Sequence, residues 1–509
     1  MKITLESPVN KYYVQTLGMI FFPGEHFGNK QAEEEPSDEP CLYVRSEDRD
    51  GGVYSYAKAE YRQKCCEAEY FAEQKDGRTA ERTLKLSIGG AVLAALGDLM
   101  GYRPAWGMMI GVRPSKVASE MLNAGVSKTR VKKILNSDYL VIPKKAALAT
   151  DIALTEKRII GEVSPKDCSV YISIPFCPSR CTYCSFVSYT SKRLLDLIPE
   201  YIERLKVDIR ANFETIDKLG LRVRTLYIGG GTPTILSEEQ LKDLLSYIYT
   251  LTDVTKLDEY TMEAGRPDTI TEEKLTIARE YGVTRVSVNP QSLSDDVLYG
   301  IGRHHTAEDF FRAFSDARRA KIKTVNVDLI AGLPGDNFKR FSATMDKVLQ
   351  MAPENITVHT FCVKKSAEIL KLNSDVYSIR GGDAGKCVDY SQIKAQQAGY
   401  IPYYMYRQKN TVGNYENVGF ALHGHEGLYN IYMMEEIHSI FAAGAGAVTK
   451  LVDNRNIGSK SVGTDGIAQE KRTIERLFHQ KYPYEYLAED RSCQFARTAE
   501  EFYREHGML

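Results

Sequence analysis

The sequence lacks a charge excess of either sign. Its 509 residues include 66 lysines and arginines and 67 aspartates and glutamates, so the formal net charge is −1. Proteins that bind nucleic acid usually carry a clear basic excess, and disordered interaction tails carry long runs of like charge. The composition therefore indicates neither a nucleic-acid partner nor a charged tail.

Long hydrophobic runs are also missing. The longest apolar stretch, from Leu84 to Met100, is interrupted by glycines and by Asp98. A membrane span needs about 20 consecutive, mostly apolar residues, so this stretch predicts a buried helix and no membrane span. The opening residues, MKITLESPVNKYY, lack the charged start and apolar core of a signal peptide.

Cysteine is too sparse for a disulfide framework. Ten cysteines are spread over the chain, whereas disulfide-stabilised domains are small and rich in cysteine. Together with the missing signal peptide, this predicts a cytoplasmic protein with reduced thiols.

Length and pattern predict three domains. Residues 1–165 form an α/β and then helical domain, with a strand pair around Asp48–Gly52, an acidic loop at QAEEEPSDEP, and helices in TLKLSIGGAVLAALGDLM, SKVASEMLNAG and KKAALATDIALTEKR. Residues 366–509 form a small mixed α/β domain with a helix near Lys386–Ala398 and a strand in IPYYMYRQ.

Residues 166–365 alternate strand and helix patterns. Strands are predicted in VYISI, RTLYIGG, EYTMEAG, RVSVNP, TVNVDLI and ITVHTF, with helices in YIERLKVDIRANFETI, EEQLKDLLSYIY and AEDFFRAFSDARRA. Such alternation indicates a parallel sheet with right-handed crossovers. Six units are too few for a closed eight-stranded barrel, so we expect an α/β fold with an open, partial (βα)6 barrel.

Three cysteines follow the first of these strands directly. Cys177, Cys181 and Cys184 lie in YISIPFCPSRCTYCSF, with three and then two residues between them. Three thiolates leave one iron of a cubane cluster open to a small molecule, whereas a cluster bound by four cysteines mainly transfers electrons. Chance clustering and part of a zinc site are the alternatives, and zinc would need a fourth ligand at a typical spacing.

Polar residues and glycines follow the next strands. The second strand ends in GGGTPT, where glycines let backbone amides approach a ligand closely; a tight turn is the alternative. Glu263 ends the third strand, Asn289 and Gln291 follow the fourth, and Asp328 lies near the end of the fifth. Ligands of parallel α/β folds bind at this carboxyl edge, so these groups predict a polar pocket beside the cysteines.

These motifs bring the chain close to a known family. The segment from Tyr171 to Ser366 resembles radical SAM enzymes, specifically the group around the oxygen-independent coproporphyrinogen III oxidase. The resemblance rests on YISIPFCPSRCTYC, YIGGGTPT, VNPQSL, GRHHT and DLIAGLPGD. The flanking segments WGMMIGVRPSKVASEMLNAG and YRQKNTVGNYENVGFA are similar to the HemZ-type branch.

The resemblance implies cofactors and site residues. It implies a [4Fe-4S] cluster on Cys177, Cys181 and Cys184, with one or two molecules of S-adenosylmethionine, the first bound to the open iron. The residues implied both to act in catalysis and to contact the cofactor are Tyr171, Glu263, Gln291, Arg303 and Asp328. Further cofactor contacts are implied for Tyr183, Gly230, Gly231 and Thr232.

The resemblance also implies a reaction. A 5′-deoxyadenosyl radical would remove a hydrogen from a propionate β-carbon, and loss of carbon dioxide would leave a vinyl group, converting coproporphyrinogen III to protoporphyrinogen IX. The implied partners are a tetrapyrrole substrate and a one-electron reductant such as flavodoxin or ferredoxin. Carboxylate-binding cations are needed, and the candidates are Arg303, Arg266, Lys364, Lys365, Arg407 and Lys409.

Two other hypotheses remain open. The oxidase carries a further cysteine two residues beyond the third, whereas this chain has Phe186 there, as haem-chaperone relatives do. This difference favours a haem-binding or haem-delivery protein that retains the cluster. A radical methyltransferase or ring-opening enzyme acting on a tetrapyrrole is the third hypothesis. The histidines, including His359, are given no role because the sequence supplies no partner for them.

Overall fold

The computed structural model describes most of the chain. The described residues are 1–22, 39–75, 78–111, 113–161, 163–184, 186–362, 382–408, 411–453, 460–462, 468–470 and 473–508. Most of the predicted acidic loop lies outside them, as do the candidate cations Lys364, Lys365 and Lys409. None of the ten cysteines forms a disulfide bond.

The N-terminal region begins with a four-stranded sheet. In chain order its elements are β1 (Lys2–Glu6), α1 (Lys11–Phe21), β2 (Cys41–Arg49), β3 (Gly52–Tyr61) and β4 (Lys64–Glu73). β1 and β2 are parallel, and β2, β3 and β4 form antiparallel hairpins. The predicted turn before β3 is confirmed, and Gly51 supplies its positive φ of 80°. β4 was not predicted.

Four helices follow this sheet. They are α2 (Ala80–Met100), α3 (Pro114–Asn123), α4 (Lys128–Ser137) and α5 (Pro143–Ile160). Three of them were predicted, and α4 was not. α2 is long and apolar enough to cross a membrane, yet 72% of its most apolar 18-residue segment is buried inside the protein. A Cβ on Gly90 would meet the Tyr70 ring at 2.4 Å, so this glycine lets α2 lie close against the sheet.

The rest of the chain forms one large sheet with covering helices. Its strands are β5 (Asp167–Ile174), β6 (Arg222–Gly230), β7 (Glu259–Glu263), β8 (Arg285–Ser287), β9 (Thr324–Ala331), β10 (Asn355–Thr360), β11 (Ile401–Tyr406), β12 (Asn417–Ala421), β13 (Ser439–Ala443), β14 (Val448–Asp453) and β17 (Thr473–Phe478). A separate hairpin contains β15 (Lys460–Val462) and β16 (Ala468–Glu470). The helices are α6 (Lys192–Leu195), α7 (Ile198–Lys218), α8 (Glu238–Leu251), α9 (Glu272–Glu280), α10 (Asp295–Gly300), α11 (Ala307–Arg319), α12 (Phe338–Gln350), α13 (Ala384–Gln397), α14 (Leu428–Glu435), α15 (Pro483–Ala488) and α16 (Ser492–Glu505).

The six predicted strands are confirmed as β5 to β10. They lie side by side in chain order and all run parallel. The whole sheet has the order β11-β12-β10-β9-β8-β7-β6-β5-β13-β14-β17. This arrangement agrees with the predicted α/β fold built on an open, partial barrel.

The two faces of these parallel strands differ in chemistry. One face presents buried aliphatic side chains such as Ile172, Ile228 and Val327. The opposite face, here called the polar face, is hydrogen-bonded from strand to strand: the Asn326 amide nitrogen donates to the Ser287 hydroxyl at 3.3 Å, and the Thr357 hydroxyl donates to the Asn326 amide oxygen at 3.1 Å. These bonds offset the cost of burying polar groups.

Strands from the C-terminal region extend the central sheet on both sides. β13 pairs with β5 in parallel, and β12 pairs with β10 in antiparallel orientation. At the amino end of β7, the Glu259 carboxylate accepts hydrogen bonds from the Leu428 and Tyr429 amides at 2.9 and 3.2 Å, so α14 lies at the amino ends of the strands. The two boundaries between the three predicted domains stay a prediction.

A buried ionic network joins the N-terminal helices to the C-terminal strands. The Lys145 ammonium donates to Glu416 at 2.6 Å and to Asp389 at 3.0 Å. The other Glu416 oxygen accepts a bond of 2.7 Å from the Trp106 indole. Lys145 and Glu416 have side-chain exposures of 1% and 0%, so each charge depends on the other for compensation.

We predict that Lys145→Met destabilises the protein strongly. Glu416 would be left buried without its cation, which costs about 3–5 kcal/mol of unfolding free energy. Urea denaturation followed through the fluorescence of the single tryptophan, Trp106, measures this. Lys144→Met is the matched control, because Lys144 is 60% exposed and lies 3.8 Å from Asp389. Equal stability of the two variants would contradict the prediction.

Candidate functional site

The three motif cysteines lie in a loop at the carboxyl end of β5. Backbone hydrogen bonds fix this loop: the Cys177 amide donates to the Tyr189 carbonyl and the Cys184 amide to the Cys181 carbonyl, each at 3.0 Å. All three thiols are partly buried. Burial raises the pKa of the Cys177 thiol to about 11, and the neighbouring Cys184 and Cys181 sulfurs add to the shift. The three sulfur atoms are therefore neighbours.

This donor set fits a cluster better than a single ion. Among the residues with known placement, no three His, Cys, Asp or Glu side chains lie close enough to share one metal ion, whose thiolate ligands would lie about 2.3 Å away. A cubane cluster is larger and spaces its thiolates more widely. A coordinating thiol is deprotonated outright, which would overcome the raised pKa of Cys177. The three cysteines are thus the residues that would hold the predicted cluster.

The glycine loop after β6 packs directly on the cysteine loop. The Gly231 amide donates to the Ile174 carbonyl and the Thr232 amide to the Phe176 carbonyl, both at 2.8 Å. A Cβ on Gly231 would lie 2.5 Å from that Phe176 oxygen, so only glycine fits. The Thr232 hydroxyl lies 3.3 Å from the Cys177 sulfur. Gly230 precedes this contact with a φ of 110°.

Glu263 ends β7 on the same edge of the sheet. Its carboxylate accepts a bond of 2.6 Å from the Tyr227 hydroxyl. Burial raises the pKa of Glu263 to about 7, and the charge of Asp328 contributes in the same direction. Near neutral pH this carboxyl group can therefore hold or release a proton.

Asp328 and Gln291 are joined at the carboxyl ends of β8 and β9. The Gln291 amide donates to the Asp328 carbonyl at 3.1 Å, and the Asp328 amide donates to the Asn289 side chain at 3.2 Å. Gln291 has a φ of 67°, a conformation that is costly for a residue other than glycine and that often marks functional sites. The sequence-predicted polar residues thus lie together.

His359 on β10 joins this group, although the sequence indicated no partner for it. Its Nε2 lies 3.5 Å from the Asp328 carboxylate, and its Nδ1 lies 3.2 Å from the Tyr406 hydroxyl. Burial disfavours ionisation of Asp328, but the interaction with His359 and the hydrogen bonds from Asn326 and Thr357 together outweigh it and lower the pKa of Asp328 below its ordinary value. Asp328 is therefore held as a carboxylate.

Arg303 and Tyr183 lie at the cysteine loop, Arg303 beside it and Tyr183 within it. The Arg303 guanidinium donates to the Gly265 carbonyl at 2.8 Å and also to the Asn289 carbonyl. It therefore holds together the loops that follow β7 and β8. Tyr183, between the last two cysteines, packs against an apolar cluster that includes Ile301 and Phe361.

Tyr171 belongs to a stack of three tyrosines. Its ring centroid lies 6.0 Å from that of Tyr227 and 6.2 Å from that of Tyr429, and the latter two rings are 4.5 Å apart. Tyr429 arrives from α14, so sequence reasoning missed it. The stack lies between Glu263, which Tyr227 contacts, and α14, which carries Tyr429.

Two of the candidate carboxylate-binding cations are engaged elsewhere. Arg407 is buried, contacts the Trp106 ring and donates to the Met109 carbonyl. Arg266 is buried and bonded to Asp268 and to the cysteine loop. Neither guanidinium is free to bind a propionate group.

The chain is similar in sequence to radical SAM proteins. The sequence profile of the Radical SAM superfamily matches residues 171–348. The oxygen-independent coproporphyrinogen-III oxidase-like protein HemZ of Bacillus subtilis (strain 168) is 35% identical over 389 residues, covering 75% of this chain and 77% of HemZ. Heme chaperone HemW of the same organism is 32% identical over 335 residues, covering 65% of this chain and 84% of HemW.

Solved structures include a similar protein. The coproporphyrinogen III oxidase HemN from Escherichia coli aligns with a TM-score of 0.48 and 18% identity, covering 68% of this chain and 73% of that one.

We predict that Cys181→Ala abolishes assembly of the cluster. Two thiolates cannot replace three as ligands, so anaerobically reconstituted protein should lose most of its iron, its sulfide and its visible absorbance. Cys65→Ala is the control, because Cys65 is exposed on β4. Full iron and sulfide content in the Cys181 variant would refute the ligand assignment.

The raised pKa of Glu263 predicts a pH-dependent stability. The native pKa of about 7 exceeds the ordinary value of 4.5, so the native state binds more protons between these values. Its contribution to stability is complete below about pH 4.5 and falls as the pH rises to 7. Relative to Glu263→Gln, the parent should lose unfolding free energy over this range, by about 1.4 kcal/mol for each unit of pKa difference.

Urea denaturation at several pH values, without added cofactor, checks this prediction. Glu239→Gln on the exposed surface of α8 should leave the pH profile of the parent unchanged. Parallel profiles for the parent and Glu263→Gln would show that the Glu263 pKa is not raised.

Proposed function

Because this chain belongs to the radical SAM superfamily, in the group that contains the HemZ oxidase-like protein, we propose that it converts propionate side chains of coproporphyrinogen III to vinyl groups, as an oxidoreductase of haem biosynthesis. Its cofactors are a [4Fe-4S] cluster and S-adenosylmethionine. The observation that supports the reaction is the convergence of three thiols, the glycine loop and ionisable side chains at one edge of the sheet.

In this proposal each part of the site has a distinct task. Cys177, Cys181 and Cys184 hold the cluster, and Gly230, Gly231 and Thr232 bind the methionine part of the cofactor. Tyr171, Tyr183, Gln291 and Arg303 complete its surroundings. When bound, the cofactors would supply the abstraction of one hydrogen atom from a propionate β-carbon, with loss of the carboxylate as carbon dioxide and transfer of the remaining electron to an external one-electron oxidant.

The two carboxyl groups of the pocket suit different roles. Asp328 is kept ionised by its hydrogen-bond partners, His359, Asn326 and Thr357, and so accepts hydrogen bonds from ammonium or hydroxyl groups. Glu263 has a pKa of about 7 and can hold or give up a proton at the pH of the cell. Neighbouring carboxyl groups with separated pKa values commonly divide such tasks.

The tyrosine stack supports radical chemistry by excluding water. Tyr171, Tyr227 and Tyr429 line the interior below the pocket, and Tyr429 belongs to α14 at the amino ends of the strands. Substrate would then enter from the carboxyl edge. Closure on one side protects a reactive intermediate from side reactions.

Two further requirements are cations that bind the substrate carboxylates and a protein that supplies electrons. Lys364 and Lys365, which follow β10, and Lys409, which follows β11, remain candidates for propionate binding. A one-electron reductant such as flavodoxin or ferredoxin would supply the cluster in a reducing cytoplasm.

Anaerobic turnover tests the proposed reaction. Reconstituted protein, S-adenosylmethionine, dithionite and coproporphyrinogen III should yield products that have lost carbon dioxide and two hydrogens per propionate, as seen by mass spectrometry. Formation of 5′-deoxyadenosine with unchanged tetrapyrrole would exclude the decarboxylation. A product with an added methyl group or an opened ring would favour the other radical reactions instead.

We predict that Asp328→Asn slows cofactor cleavage without removing the cluster. Loss of a carboxylate in contact with the cofactor should lower the rate of 5′-deoxyadenosine formation by about 10–100-fold, with iron content unchanged. Asp346→Asn is the control, since Asp346 is a 42% exposed carboxylate on α12. Unchanged cleavage in the Asp328 variant would place this side chain outside the cofactor pocket.

A haem-delivery role is the second candidate, and the exposure of Phe186 favours it. This side chain is 70% exposed beside the cysteine loop, at the position where the resemblance implied a further cysteine. Titration with haem distinguishes the two functions: tight stoichiometric binding without turnover of coproporphyrinogen III would support delivery over oxidation.

A further inference from the structure

Arg266 is a buried cation held against the cysteine loop. It follows β7 by three positions and has a side-chain exposure of 3%. Asp268, in the 3-10 turn Pro267–Thr269, binds its guanidinium in a bidentate pair, with both nitrogen–oxygen distances at 3.1 Å.

The remaining donors of this guanidinium point at the cluster-binding loop. One terminal nitrogen donates to the Ser179 hydroxyl at 3.0 Å, and the other donates to the Ser179 carbonyl at 3.3 Å and lies 3.9 Å from the Cys181 sulfur. A guanidinium has five N–H donors in a fixed fork, and these contacts account for all of them. The cation is therefore fixed in position and cannot turn toward a substrate.

We propose that Arg266 tunes the reduction potential of the cluster through the Cys181 sulfur. Hydrogen bonds to the sulfur ligands are one of the factors that set the potential of an iron–sulfur centre, and interactions behind the ligands generally tune a metal site. Arg266 thus favours entry of the electron that an external one-electron reductant supplies. The proposal depends on the cluster but not on which substrate the enzyme uses.

Asp268 sets the size of this effect. Reduction adds one negative charge to the cluster, and a nearby positive charge stabilises the reduced form and raises its potential. The Asp268 carboxylate lies on the opposite side of the guanidinium and offsets part of that charge. Removing Arg266 or Asp268 should consequently move the potential in opposite directions.

Redox titration followed by electron paramagnetic resonance tests the proposal on reconstituted holoenzyme without substrate. In Arg266→Gln, reduction should become less favourable by about tenfold, the scale of one hydrogen bond to a charged group, which is a shift of about 59 mV to lower potential for a one-electron couple. Asp268→Asn should shift the potential upward.

Arg285 provides a matched control for Arg266. Arg285→Gln removes another buried arginine, whose partners Glu259 and the His425 carbonyl lie away from the cysteine loop, and it should leave the potential unchanged. If Arg266→Gln takes up no iron, two other variants test the proposal. Arg266→Lys should lower the reduction potential, and Asp268→Asn should raise it. Unchanged potentials, shifts of the same sign, or an equal shift in Arg285→Gln would overturn the proposal.

Discussion

Two backbone hydrogen bonds between neighbouring loops determine the geometry of the site. The Gly231 and Thr232 amides donate to the carbonyls of Ile174 and Phe176, so the glycine loop after β6 is locked onto the start of the cysteine loop after β5. A side chain at position 231 would collide with the Phe176 backbone. The distance from the thiols to the pocket residues on β7, β8 and β9 therefore depends on the sheet and on this single close approach.

Much of this arrangement could be predicted from the sequence, because its signals are local. All six parallel strands were correct, since their apolar runs alternate with helical patterns. Placement of the cysteines, Glu263 and Asp328 at one edge followed from chain direction alone. Their contacts to the cofactor remain a prediction.

Other features could not be predicted, because they depend on contacts between distant segments. His359 gains its partners only when β9, β10 and β11 assemble. Tyr429 reaches the tyrosine stack from α14. Arg266, a candidate substrate-binding cation by sequence, donates its hydrogen bonds to Ser179 and Asp268 instead. Single-residue patterns carry no information about such pairings.

The pairing of β13 with β5 has a consequence for biogenesis. A bond of 2.8 Å joins Ser169 to His438 across 269 positions of sequence, and α14, which closes the interior, is synthesised just before β13. During translation one edge of β5 stays unpaired until β13 has been synthesised. Such non-local strand pairings form slowly, and the intermediates with unpaired strand edges are prone to aggregate. The cysteine loop is thus synthesised long before α14 and β13. During this interval its thiols are accessible to cluster-assembly factors while the chain is still bound to the ribosome.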